Sequence, residues 1–169
     1  TALAEQEEQA WLERFVRESN RIESINRDPT TQEIAAHKKL LTRDRLTVSG
    51  LQALVAVCQP NAVLRATEDV PGVRVGNHIA PPSGLAIVAE LKSLLRRIGA
   101  SEVSPWQAHC EFETIHPFTD CNGRAGRAVW LWHMQKIGQS RRALKFGFLH
   151  LWYYQALAES QHTARKEAP

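Results

Sequence analysis

The sequence predicts an all-α domain carrying one short β-hairpin flap, on three observations. Apolar residues recur at three- and four-residue spacing through most of the chain, the pattern of helices with one buried face. Cap-forming Thr and Ser and first-turn Pro punctuate these segments where helices would begin. Between Pro60 and Pro82 the pattern changes, because "PGVRVGNHIAPP" alternates β-branched residues between Gly and Pro, which suits a hairpin. With no internal repeat, low-complexity tract or linker-like stretch, residues 1–169 read as a single domain.

The first helix is predicted from about Leu3 to Ser24. At roughly 100° per residue, Leu12, Phe15, Val16 and Ile22 form its apolar stripe, and Ser19 and Glu23 fall in the middle of that stripe. A carboxylate buried without a cation is costly, so Glu23 is expected to have found an arginine. A second helix spans about Thr31 to Leu41, opened by Pro29 and the cap-like Thr30 or Thr31, and a third about Ser49 to Gln59. After the flap, helices are predicted at about Ser83 to Ile98, Ser104 to Ile115 with Pro105 in the first turn, Gly123 to Ile137, and Arg142 to His162. The aromatic residues Trp130, Trp132, Trp152, Tyr153 and Tyr154 lie at helical spacing and read as core packing.

Composition narrows the class. The formal charge of +3 is small and its Lys and Arg are scattered, so no specific nucleic-acid partner is expected. No apolar run approaches the roughly 20 residues that cross a bilayer, and the acidic start TALAEQEEQA is unlike a signal peptide, which predicts a cytoplasmic protein without a membrane partner. Cys58, Cys110 and Cys121 are odd in number and lack CxxC spacing, so they read as reduced thiols.

The chemistry concentrates in "HPFTDCNGRAGR", residues 116–127. Pro117 disfavours helical geometry at His116, so the helix bearing "WQAHCEFETI" should end there and hold the imidazole at its C-terminal edge. The loop from Thr119 to Gly123 feeds a new helix whose first N–H groups lack intrahelical partners and whose dipole favours negative charge. Arg124 and Arg127 lie three apart and share a face, with planar forks suited to phosphate oxygens. Asp120 is the kind of hard ligand that magnesium takes when it bridges phosphates. His116 remains as a general base. Singly each residue has a structural explanation, such as Asp120 capping the next helix; at this spacing the functional reading is preferred. A zinc site built from His109, Cys110, His116, Cys121 and His133 is the weaker alternative, since no HExxH or paired CxxC occurs.

The same residues resemble the signature of the Fic (filamentation induced by cAMP) family, H-x-F-x-[D/E]-G-N-G-R-x-x-R, at every fixed position except one. "AHCEFETIHPF", the flap and the closing "FLHLWYYQAL" extend the resemblance over most of the chain. It implies a Fic-type helical domain over residues 1–169, with an inhibitory helix region at 1–26, a flap at about 61–82 and the active-site loop and helix start at 116–127. The implied activity is that of a protein adenylyltransferase moving AMP from ATP, with Mg2+, to a Tyr, Ser or Thr hydroxyl of a target protein. Self-modification and a homodimer are compatible with it. By the same resemblance His116 would take the hydroxyl proton, Asp120 would hold magnesium, and Asn122 with the backbone from Cys121 to Gly123 would cradle phosphates. Arg124 and Arg127 would neutralise the outer phosphates, and Phe118 would anchor the loop. The flap residues Val73, Arg74, Val75, Gly76, Asn77, His78 and Ile79 would pair with the target's main chain by strand addition.

"SNRIES", residues 19–24, resembles the family's inhibitory motif [S/T]-x-x-x-E-[G/N], departing at Ser24. The resemblance implies that Glu23, with Ser19 opening the motif, pairs with Arg127 and blocks the seat of the γ-phosphate. In some relatives that glutamate instead orients water to remove AMP. The other departure is Cys121 in place of the first Gly of GNG. A positive φ there would cost about 1 kcal/mol; helical-side angles would cost little. The related Doc branch tolerates alanine at this place, so the milder case and a working cradle are expected. A catalytically silent adaptor of the same shape is the rival reading, and a phosphate-transferring Doc-like member is another, although that branch prefers Lys where this chain has Gly123. The Cys121 thiol is expected to fill space; the alternative is a lowered pKa at the helix start that opens it to oxidation.

Overall fold

The computed structural model describes residues 1–138 and 157–158. In chain order these form α1 (Ala2–Ile22), α2 (Thr31–Leu41), α3 (Val48–Cys58), β1 (Arg74–Val75), β2 (His78–Ile79), α4 (Leu85–Gly99), α5 (Pro105–Ile115) and α6 (Asn122–Lys136). The all-α reading with one hairpin holds, with helix ends displaced by a residue or two. The closing helix predicted at 142–162, with Trp152, Tyr153 and Tyr154, lies outside the described residues apart from Leu157 and Ala158.

Caps account for the ends. Thr30 Oγ1 accepts from Glu33 N at 3.1 Å while the Glu33 carboxylate accepts from Thr30 N at 2.7 Å, a reciprocal pair that fixes the start of α2. Thr47 caps α3 through Gly50 N, and Ser104 caps α5 through Gln107 N with Pro105 in the first turn. The first helix stops at Ile22, short of the predicted Ser24, because Ser24 turns left-handed at φ 59°. Ser24 N then donates to Arg21 O and Ile25 N to Asn20 O, the two bonds of a Schellman ending.

Two buried clusters place the site. The larger packs α3, α4, α5 and α6 through residues such as Leu51, Leu54, Ile87, Leu91, Phe112 and Val129. The smaller joins Leu12, Phe15, Val16 and Ile22, the predicted stripe of α1, to Ile34 of α2 and Leu131 of α6. Each such side chain contributes about 1.5–3 kcal/mol when buried, so α1 is laid firmly across α2 and α6. A bidentate pair between Arg27 and Glu33, at 2.8 and 2.9 Å, ties the chain leaving α1 to the start of α2. The hairpin is antiparallel, with Arg74 opposite Ile79 and Val75 opposite His78. Among the described residues no helix is long and apolar enough to cross a membrane.

Candidate functional site

α5 ends where Pro117 demands. His116 caps it in the left-handed region, at φ 51° and ψ 61°, with its N–H still bonded to Phe112 O. The His116 side chain is buried, and Nδ1–H donates to Glu113 O at 3.3 Å, which leaves Nε2 as an acceptor. Burial first, with the Arg65 guanidinium and His78 adding to it, lowers the imidazole to about 4, so the ring is neutral at pH 7.

The following loop is held from both sides. Thr119 N donates to Val63 O at 2.9 Å, Val63 N to Thr119 Oγ1 at 3.0 Å, and Phe118 is buried in the core beside Leu64. Asn122 turns both ends of its amide to the loop, its oxygen accepting from Phe118 N and its nitrogen donating to Phe118 O. These two bonds fix the loop's shape. Asp120 is exposed; one oxygen accepts from Cys121 N at 2.6 Å and the other from Gln59 Nε2 at 3.0 Å. No side chain caps α6, so its first turn of N–H groups stays open toward the loop.

Cys121 corrects one expectation and removes one alternative. Its backbone stands at φ 69° and ψ 11°, the left-handed case rather than the milder one, because the chain must reverse sharply between the buried Phe118 and the start of α6. Hydrogen bonding of its free thiol with that of Cys58, together with burial, pushes the Cys121 thiol up, opposite to the lowered value a helix start alone would give. The space-filling reading stands.

Arg124 and Arg127 are both buried, and they turn to different partners. Arg124 Nη1 donates to Cys58 O at 2.9 Å, while its buried Nε has no hydrogen-bond partner among the described residues. Arg127 donates from Nε to Ser19 Oγ and from Nη2 to Ser19 O, both at 2.8 Å, and from Nη2 to Glu23 Oε1 at 2.7 Å. The arginine expected for Glu23 is thus Arg127. The carboxylate lies directly over the first turn of α6, since a Cβ built on Gly123 would collide with Glu23 Oε1.

These groups surround one cavity of about 920 Å³. His116, Asp120, Cys121, Asn122, Gly123, Arg124 and Glu23 line it, and the flap contributes Val73, Val75, Gly76, Asn77 and His78. Arg74 and Ile79 do not line it, and neither do Ser19 and Arg127, which lie under Glu23. His78 Nε2–H donates to Thr114 O at 3.0 Å, fastening the hairpin to α5. Sequence reasoning missed Gln59, Glu113 and Arg65. Gln59 shows no signal beyond the end of a helix, Glu113 acts through its carbonyl, and Arg65 has Glu68 and Asp69 nearby in sequence and so reads as a solvated charge.

A model of the Fic/DOC family matches residues 30–134. The match runs from the cap of α2 into α6 and takes in the loop, the flap and both arginines; Ser19 and Glu23 precede it.

Proposed function

Because the chain belongs to the Fic/DOC family, whose members transfer nucleotide-phosphate groups onto proteins, we propose that it moves AMP from ATP to a Tyr, Ser or Thr hydroxyl of a target protein and that α1 holds this activity low. The observation that carries the reading is the grouping of a neutral imidazole, the exposed Asp120 carboxylate, an uncapped helix start and a buried guanidinium nitrogen without a partner among the described residues around one cavity. A buried cation left partly unsatisfied is expensive unless an anion arrives, and phosphate oxygens fit the Arg124 fork. The seat already attracts negative charge, because Glu23 puts a carboxylate there.

In this reading the flap aligns a target strand by main-chain pairing and brings its hydroxyl to His116. His116 Nε2 accepts the proton while the hydroxyl oxygen bonds to the α-phosphorus; the bond from that phosphorus to the bridging oxygen breaks, and pyrophosphate leaves. Asp120 would hold magnesium, which neutralises phosphate charge when bound. Among the described residues no three His, Cys, Asp or Glu gather, so phosphate oxygens and water would complete its shell, as magnesium prefers. Arg127 is engaged by Glu23 and Ser19, so a γ-phosphate would have to displace the carboxylate to reach it.

The test offers ATP labelled at either the α- or the γ-phosphate, with magnesium, to the wild type and to Glu23→Gly, with the chain itself and cell-extract proteins as acceptors. Label from α on protein, stronger in the variant, is expected. Label from γ alone would make it a phosphotransferase, and label from neither would leave an adaptor.

A further inference from the structure

Arg65 belongs to no motif, yet it is 0% exposed and among the largest fully buried side chains. No carboxylate pairs with it among the described residues. Neutral oxygens receive its charge: Nε donates to His116 O at 2.7 Å, Nη2 to Ile115 O at 2.9 Å, and Nη1 to Pro81 O at 2.7 Å and Ser83 Oγ at 3.2 Å. Its main chain is engaged in the same two directions, with N donating to Pro117 O at 2.8 Å and O accepting from Gly84 N at 3.0 Å. The partners form two groups. Residues 115–117 are the end of α5 with the base, and residues 81–84 are the foot by which the flap returns to α4.

A helix end alone is capped more cheaply by glycine or water than by a buried guanidinium. The cost makes sense if one rigid fork has to fix two separate segments. We propose that Arg65 is a positioning residue that couples the flap to the base, holding the His116 main chain and the flap foot in one frame so that a strand seated on the hairpin is registered against the imidazole. This rests on the transfer reaction proposed above, in which the flap and His116 must meet the same side chain of the target. His78, bonded to Thr114 O, is a second tie nearer the hairpin tip. A lysine cannot substitute, because a single ammonium cannot reach acceptors on both segments in the plane that the guanidinium spans.

The test compares Arg65→Lys and Arg65→Met in the full chain carrying Glu23→Gly. Following α-phosphate label into the acceptor found for that background, both substitutions are expected to lower the maximal rate about 10- to 100-fold, with the half-saturating ATP concentration unchanged within about twofold because the phosphate seat does not touch Arg65. Amide hydrogen exchange without substrate is expected to quicken together at residues 73–84 and 115–119. A lysine variant that keeps the full rate, an ATP requirement that rises in step with the loss of rate, or exchange that quickens at only one segment overturns the coupling. Should the methionine variant fail to fold, the lysine variant decides. Should the background transfer no label, the functional reading falls, and hydrogen exchange alone still decides whether Arg65 couples the two segments.

Discussion

Glu23 Oε1 accepts a 2.7 Å hydrogen bond from Arg127 Nη2, joining the last turn of α1 to a guanidinium that is 0% exposed in α6. The pair is charge-assisted and reinforced by Ser19, so the C-terminal end of α1 and its capping residue offer Arg127 three acceptor atoms. In the proposed reaction a triphosphate seeking the same cation would compete with a ligand that is always present. Removing the carboxylate in Glu23→Gly takes away a bond worth about 1.5–3 kcal/mol, so ATP affinity is expected to rise about tenfold to a hundredfold. Calorimetry on the two proteins checks this, and equal affinities would mean that α1 does not guard the seat.

Gly123 offers a way to open the same contact without removing either charge. A Cβ there meets the far ends of two side chains, the Glu23 carboxylate and, at 2.9 Å, Arg127 Nη1, and no backbone atom is among its three nearest contacts, so the Glu23 side chain can swing away while the backbone stays in place. Gly123→Ala is therefore expected to fold, since Ala also favours a helix by about 1 kcal/mol over Gly, and to raise ATP affinity in the direction of Glu23→Gly. In the double variant the two gains should not add, because both act through one pair. Full additivity, read by the same calorimetry, would place the effect of residue 123 elsewhere.

Ser24 explains the departure from the inhibitory motif. It occupies the left-handed position of the Schellman ending, where Gly or Asn sits without strain and Ser does not. Ser24→Gly is expected to stabilise the chain by about 0.5–1 kcal/mol, visible as a higher urea midpoint. The tighter turn should also hold Glu23 more firmly, lowering ATP affinity. A destabilised variant would mean that the Ser24 side chain contributes more than its backbone costs.

The legible parts were those written in local pattern. The stripe Leu12, Phe15, Val16 and Ile22 announced the buried face of α1, and the misplaced Glu23 on that face announced a partner, because burial of a charge has few solutions. Pro117 fixed the end of α5, and the β-branched alternation between Gly and Pro fixed the flap. What escaped was non-local. Arg65 looks like any solvated arginine until residues 81–84 and 115–117 close around it, and Asn122 looked like a ligand-facing amide until Phe118 took both its bonds. The left-handed turn at Cys121 is likewise imposed by the loop's anchors on either side.

That turn separates two substitutions that helix propensity would rank the other way. At φ 69°, Cys121→Ala keeps the strained Cβ and loses the sulfur's packing against Cys58, whereas Cys121→Gly loses the same packing and removes the strain. The glycine variant is expected to be more stable than the alanine variant by about 1 kcal/mol, measured by chemical denaturation. The opposite order would show that the left-handed geometry is not retained in solution.

Acid should act on this fold through its buried imidazoles. Burial lowers His109 to about 3 and is the main reason that His116 lies at about 4, against 6.5 for either ring in the unfolded chain. Between those values the unfolded chain binds more protons than the folded one, so stability is complete above about pH 6.5 and falls as the pH drops, by up to about 1.4 kcal/mol per unit for each ring. Glu33 acts lower down. Burial opposes its charge, but the bonds from Arg27 and Thr30 prevail and hold it at about 2, so its contribution is lost only as the pH falls below 4.5. Urea unfolding at about pH 7 and about pH 5 should therefore show a clear loss between them, and His109→Gln should shrink that loss by removing one titrating ring. Transfer behaves differently over the same range. His116 stays neutral down to about 4, so in protein that is still folded the rate should not halve near pH 6.5, as it would for an exposed base. A rate profile with its acid limb at 6.5 would mean that the imidazole is solvated in the working enzyme.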